Sequence, residues 1–354
     1  MKKGLLLVPF MSGKGGTETV IHNLFTALSK QNQYKISIYS IGGSNDYNWS
    51  NGTDIHIQEI SSKRFIRTSY YLTFLPHRIY KIIKKTQPDF IISTNPVMWL
   101  LSKVAVKRLH LSIPIIAWYH YSLQQKPIKK LFLNSADYFL AISSGIKKQL
   151  IKLGIQNHRI FLIYNPVESN HKVIPRPKDK CHFIYLGRVD LDKQKNVREL
   201  LQGLSKVSGD WTLDIYGDDS NAEPVKEYAK KLKISDHLSW KGFIKEPWSH
   251  INVASSLVLT SNYEGLPMVL CESISHGIYC ISSDIETGPN DIIKNGINGK
   301  LYKPHDINQL TSDLQDLVYH PNYLPDQKQI INSSQKFSID NYGKYFTNAL
   351  NNIL

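Results

Sequence analysis

Two stretches of this 354-residue chain hold residues whose types and spacing suit one kind of chemistry. In the segment SNYEGLPMVLCES, Glu264 and Glu272 stand with seven residues between them, and Pro267 falls where a first helical turn begins. A helix starting there carries Glu272 about 7.5 Å along its axis and leaves Glu264 in the loop at its mouth. The unsatisfied N–H groups of a first turn, with the helix dipole, attract anions. A carboxylate facing a diphosphate would repel it, so Glu264 suits sugar hydroxyls, and Glu272 suits both hydroxyls of a ribose. Taken alone, two such glutamates are better read as a surface loop acid and a solvated helix acid. The second stretch, LGRVDLDKQKNVREL, places Gly187 and Arg188 at a strand end and Lys195 with Asn196 at the next helix start. Arginine offers a planar fork to phosphate oxygens and lysine a mobile point charge. Together the two stretches describe a pocket for a nucleotide diphosphate.

The elements needed to position these residues are legible. Short apolar runs alternate with helical segments along the whole chain. In the first half the runs are residues 4–10, 34–41, 89–95, 114–120, 138–143 and 159–167; in the second they are 182–188, 212–217, 237–243, 256–261, 279–284 and 299–302. Near-continuous apolar runs predict strands buried on both faces of parallel sheets. The Pro- and Lys-rich stretch 173–180 reads as a linker. The chain is therefore expected to be α/β, with two Rossmann-like domains over 1–172 and 173–335 and a cleft at the strands' C-terminal ends. Phe337, Tyr342, Phe346, Leu350 and Leu354 recur at near-helical spacing, so 336–354 is expected to be a terminal helix packing on existing structure, which we take to be the N-terminal domain.

Composition adds an asymmetry. Residues 1–172 hold 23 Lys+Arg and 7 Asp+Glu, net +16, whereas 173–354 hold 20 and 22, net −2. The excess implies an anionic partner for the N-terminal half. Between 63 and 85, Lys63, Arg64, Arg67, Arg78, Lys81, Lys84 and Lys85 interleave with aromatic and aliphatic residues, a pattern for docking on anionic lipid or, equally, for a solvated helix packed on its sheet. KPIKKLF (126–132) extends the pattern. No aromatic-basic nucleic-acid module is recognisable, and the most specific motif lies in the neutral half, so no nucleic-acid partner is expected. The opening MKKGLLLVPF is short for a signal-peptide core and reads as a first strand. Cys181, Cys271 and Cys280 show neither metal-like nor paired spacing. A cytoplasmic protein, peripheral on the inner face of the membrane, is expected.

These motifs resemble those of the retaining GT-B glycosyltransferases of family 4, whose signature is Glu–seven residues–Glu. Here the signature is EGLPMVLCE, accompanied by GKGGTETV, the GR and KN pairs, YNPV and SSDIETGPNDIIKNGINGKLY. The resemblance spans essentially the whole chain and is strongest to bacterial lipopolysaccharide 1,6-galactosyltransferases. It implies that Arg188 and Lys195 neutralise the diphosphate, with Lys193 the competing lysine. It implies that Glu272 holds the ribose, and that Glu264 with the backbone of Gly265, Leu266 and Pro267 meets the transferred sugar. Gly242 and Phe243 fall where the family binds the base. Gly15 and Gly16 sit in a glycine-rich turn that faces donor and acceptor, a turn without the Lys-Ser/Thr of a Walker loop. His120, at a strand end, is placed at the transferred sugar. No Asp-x-Asp metal motif is present, so no metal or other cofactor is expected beside the UDP-sugar substrate. The expected activity is transfer of a hexose, galactose or glucose, to a glycan or lipid-linked acceptor of a bacterial surface polysaccharide. The alternatives are a UDP-N-acetylglucosamine transferase acting on a protein-linked or teichoic acid-type acceptor, a nucleotide-sugar epimerase, and a non-catalytic basic binder.

Overall fold

The computed structural model describes residues 1–13, 15–29, 33–168, 172–218, 220 and 222–354. The chain divides into two compact units, one formed by Met1–Pro166 with Ile339–Leu354 and the other by Val167–Ser338.

The first unit is built on a seven-stranded sheet. Its strands are β1 (Lys2–Val8), β2 (Tyr34–Gly42), β3 (Ile55–Glu59), β4 (Phe90–Ser93), β5 (Ile115–Trp118), β6 (Tyr138–Ala141) and β7 (Ile160–Leu162), in spatial order β3-β2-β1-β4-β5-β6-β7. All neighbours pair in parallel. The order reverses direction at β1 and β4, so loops after those strands converge at one edge of the sheet. The central strands carry continuous apolar runs because helices cover both faces: Leu5 to Val8, Phe90 to Ile92 and Ile115 to Trp118 are all nearly inaccessible. The helix Ile339–Ile353 packs against the helix Gly16–Ser29, burying Tyr342, Phe346 and Leu350 completely. Phe346 lies 6.5 Å from the Trp118 ring, and Tyr34 Oη donates to Asn351. The terminal helix thus belongs to this unit, which buries its apolar stripe.

The second unit holds six parallel strands: β8 (Cys181–Leu186), β9 (Trp211–Tyr216), β10 (Leu238–Gly242), β11 (Ser256–Leu259), β12 (Tyr279–Ser283) and β13 (Gly299–Tyr302), ordered β10-β9-β8-β11-β12-β13. Here the order reverses between β8 and β11, and the two charged stretches follow those two strands.

Three expectations need correction. The stretch 173–180 is no free linker: Ile174 N donates to His276 O, Ala254 N to Pro175 O, and the Arg176 guanidinium to the carbonyls of Leu324 and Pro325. Prolines break helices and sheets, but here they lie along a folded surface. The units divide between Pro166 and Val167, not at 172/173. At the other end, Val167 N bonds Phe337 O and Val167 bridges Ser338, so 336–338 stay with the second unit, and the terminal helix starts at Ile339 rather than 336. Strand β3 was not expected. It is an edge strand with mostly exposed side chains, so its only sequence signal is the alternation of Ile55 and Ile57 with polar residues.

Candidate active site

The loop after β8 and the loop after β11 are stitched together. Asn262 N donates to Gln194 O at 2.8 Å, and Asn262 Nδ2 to Lys193 O at 2.7 Å. Thr260 Oγ1 reaches the carbonyls of Lys195 and Asn196, at 3.1 and 3.0 Å. Gln194 Nε2 donates to Tyr263 O and Glu264 Oε2, while its carbonyl accepts from the Arg188 guanidinium. Arg188, itself exposed, is thereby tied to the glutamate loop through one amide. At the centre Lys195 Nζ lies 2.7 Å from Glu264 Oε1, with side chains only 13% and 10% exposed. The same oxygen accepts from Ser261 Oγ at 2.7 Å. Lys193, the competing lysine, has an exposed side chain and contributes its carbonyl to the stitching.

Asn196 takes a left-handed conformation (φ 47°) at the start of the helix Val197–Leu204. It is held there by Glu199, whose buried carboxylate accepts from Asn196 Nδ2 at 2.6 Å, Tyr302 Oη at 2.8 Å and His305 N at 3.1 Å. Left-handed asparagine is tolerated because its short side chain bonds locally. The N-V-R-E spacing, resembling a capping box, was the available sequence signal.

The loop Glu264–Pro267 leads into the helix Met268–Ser275, whose N-terminus has no side-chain cap. The backbone of Gly265 and Leu266, in the loop just before that helix, is supported from behind. Thr287 Oγ1 donates to Glu264 O, and a Cβ on Gly288 (φ +101°) would stand 2.6 Å from Pro267 Cδ and 3.1 Å from Gly265 O. Only glycine fits, on both backbone and steric grounds.

Glu272 sits on the second turn of that helix. Its Oε2 accepts from the Trp248 indole N–H at 2.8 Å. Burial raises its pKa and the Trp248 bond lowers it, with a net shift upward. Neither Trp248 nor Gln194 was foreseen.

Three glycines line the adjacent strand ends. Gly187 N bonds Tyr216 O, and Gly217 N bonds Gly242 O. A Cβ on Gly217 would stand 1.7 Å from Gly187 O, so the backbones approach as closely as glycine permits. Gly242 turns with φ +68° beside a register shift in β10, and Phe243 beyond it is 54% exposed.

In the first unit, the glycine turn is filled by the chain's own carboxylate. Glu18, 5% exposed, accepts from Gly13 N at 2.9 Å and Ser12 Oγ at 2.8 Å. A Cβ on Gly15 would lie 2.6 Å from Glu18 Oε2, while Gly16 opens the helix; Lys14 lies outside the described residues. His120 follows β5, its ring 4.7 Å from that of Trp118. Desolvation lowers its pKa to about 3, so it is neutral near pH 7. Its Nε2 is buried with no hydrogen-bond partner among the described residues.

Among the described residues no group of three or more His, Cys, Asp or Glu side chains comes together as a metal site, and no helix is long and apolar enough to cross a membrane.

Comparison with known proteins gives the same outline. Residues 166–337 match the family model for glycosyl transferases group 1, and residues 14–171 match that for glycosyltransferase family 4. The chain is 37% identical to a lipopolysaccharide 1,6-galactosyltransferase of Escherichia coli K12 over 84% of each chain. It is 34% identical to the Salmonella typhimurium protein of that name over 96% of each. A solved structure of the lipopolysaccharide outer core galactosyltransferase WaaB, in its apo form, superposes with a TM-score of 0.87 at 32% identity, covering 99% of this chain and all of that one. The chain belongs to the group 1, family 4 glycosyltransferases of the GT-B fold.

Proposed function

We propose that this glycosyltransferase moves a hexosyl group, galactose first, from a UDP-sugar to a lipopolysaccharide-type glycan acceptor, with retention of anomeric configuration. The observation that carries the reading is the Lys195–Glu264 pair, set at an uncapped helix N-terminus and tied through Gln194 to Arg188. The galactose choice rests on the two galactosyltransferase relatives.

In this reading Arg188, Lys195 and the free N–H groups of the first helical turn take up the negative charge that builds on the departing diphosphate. Groups that grip the transition state more tightly than the ground state lower the barrier. No metal is needed for this. Glu264, with the backbone of Gly265, Leu266 and Pro267, receives hydroxyls of the transferred sugar, and Glu272 receives the ribose. Gly187, Gly242 and Phe243 border the nucleotide. The neutral His120 bonds a hydroxyl of the transferred sugar, a task for an uncharged ring. Gly15 and Gly16 let the acceptor approach the backbone. As the sugar C1–O bond to the diphosphate breaks, the acceptor oxygen bonds C1 on the same face and its proton passes to the departing phosphate oxygen.

Product anomericity tests the mechanism: a retained α-linkage is expected from an α-linked donor, and an inverted linkage would remove the retaining assignment. Incubation with single UDP-sugars tests the reaction class. Turnover is expected only with acceptor present, and conversion of the donor alone would favour an epimerase.

We further propose that the first unit associates peripherally with anionic membrane, where such acceptors are anchored. The helix Arg64–Thr73 buries none of its residues, and Phe65, Leu72 and Phe74 are 81%, 78% and 61% exposed. Seven Lys and Arg, and no Asp or Glu, lie between Ile60 and Pro88. Salt-sensitive sedimentation with phosphatidylglycerol vesicles, abolished by Phe65→Ser with Phe74→Ser, is expected; equal sedimentation of both proteins would sink the idea.

A further inference from the structure

We propose that Trp248 is the positioning residue through which this chain recognises a ribonucleotide, its indole N–H turning the Glu272 carboxylate to receive the ribose hydroxyls. The proposal rests on the reading of Glu272 as the ribose acceptor, and goes beyond it by naming what makes that glutamate selective.

A glutamate's terminal torsion is broad, so a carboxylate on a helix surface samples many orientations. Two vicinal hydroxyls need both acceptor directions fixed at once. The indole of Trp248, 2.8 Å from Glu272 Oε2, removes that freedom and leaves Oε1 to a ligand. Trp248 is itself immobilised. It sits in the one-turn helix Pro247–His250, and its ring stacks on His276 with centroids 4.9 Å apart and planes 24° from parallel. His276 closes the helix that bears Glu272, one turn further along and on the same face. Its Nδ1 lies 2.8 Å from Lys172 O; a carbonyl only accepts, so Nδ1 carries the proton. Thus the Lys172 carbonyl fixes His276, His276 fixes the indole plane, and the indole fixes the carboxylate. An aromatic present for packing alone would keep its ring and have no use for the N–H.

The test measures calorimetric binding of UDP and of 2′-deoxy-UDP to the whole protein and to Trp248→Phe, which keeps the ring stack and deletes the N–H. Wild-type protein is expected to prefer UDP. The variant is expected to lose about 10-fold in UDP affinity, the scale of one hydrogen bond to a charged group, and less than about twofold for 2′-deoxy-UDP. Equal losses for both nucleotides would overturn the proposal while leaving Glu272 as ribose acceptor. A wild-type protein that binds both nucleotides alike would overturn the ribose reading itself, and the proposal with it. Trp248→His restores a ring N–H at the same place and is expected to regain part of the preference for UDP. A folded histidine variant with no such preference counts against the proposal even if the phenylalanine variant does not fold.

Discussion

Replacing Lys195 by methionine separates the two tasks given to that side chain. Its ammonium lies 2.7 Å from Glu264 Oε1, and both side chains are nearly shielded from solvent. At an effective dielectric constant of about 20, the Coulomb attraction at that distance is about 6 kcal/mol, most of it offset by desolvation of the two charges. Removing only the lysine leaves the desolvation of Glu264 uncompensated, a loss of about 3–5 kcal/mol for a fully buried pair. Ser261 Oγ and Gln194 Nε2 still donate to the carboxylate, so the lower end, about 3 kcal/mol, is expected. Adding Glu264→Gln removes the orphaned charge, and the double variant should recover about 2 kcal/mol of that loss, a coupling typical of contacting residues. Urea denaturation of the four proteins measures this. UDP affinity should behave differently: it should fall about 10- to 100-fold in Lys195→Met and stay low in the double variant, because the diphosphate has lost its cation. Strictly additive stabilities would show that the two side chains do not interact. Recovery of UDP affinity in the double variant would show that Lys195 serves only Glu264, and the diphosphate reading would fail.

Three further outcomes follow from the site. Glu272 has a raised pKa, so its ionised, hydroxyl-accepting form is lost on acidification earlier than for an ordinary carboxylate; UDP affinity should fall as pH drops through that raised value, and Glu272→Gln should flatten the dependence, an unchanged profile refuting it. His120 titrates near 3 in the folded chain against about 6.5 unfolded, so the unfolded state binds the extra proton between those values and stability falls on acidification from about pH 6.5. The slope is about 1.4 kcal/mol per pH unit from this ring, and comparing denaturation of wild type and His120→Gln at pH 7 and 5 checks it. Gly288→Ala should cost about 2–4 kcal/mol and weaken UDP binding, since its Cβ strikes Pro267 and Gly265 in a left-handed conformation; a variant of wild-type affinity would mean that the loop is not held from behind.

The parallel strands were readable because burial on both faces leaves a continuous apolar run, with no partner needed to recognise it. Edge strand β3 was not, since half its surface meets water and its residues are chosen accordingly. The Pro-rich stretch 173–180 misled for a related reason: proline reports local backbone restriction, whereas its course along the second unit depends on His276, Ala254 and the carbonyls of Leu324 and Pro325. In the site, the charged residues were legible from type and spacing, and the meeting of Lys195 with Glu264 follows from β8 and β11 being neighbours. Their supporting groups were not. Gln194, Trp248 and Thr287 act across 23 to 70 residues of sequence, and an amide, an indole or a hydroxyl carries no signal of its own until the register is known.

Two glycine-bearing turns at helix starts differ electrostatically, and the difference bears on which of them suits the proposed donor. In the first unit the buried Glu18 carboxylate accepts from Gly13 N and Ser12 Oγ, and Gly15 lacks a side chain so that this carboxylate fits. A helix start already occupied by a negative charge repels a second one, so this turn suits neutral hydroxyl groups better than phosphates. In the second unit the helix after Pro267 has no side-chain cap, the nearest carboxylate is neutralised by Lys195, and Arg188 adds a further positive group. That start attracts an anion. The sequence shows glycines in both places, but only the partners of those glycines distinguish a turn closed by its own acid from one left open to a diphosphate. Of the cations behind the net +16 of residues 1–172, Lys63, Arg64, Lys81, Lys84 and Lys85 stand exposed on the surface of that half. Those exposed cations are the ones that the proposed membrane association uses.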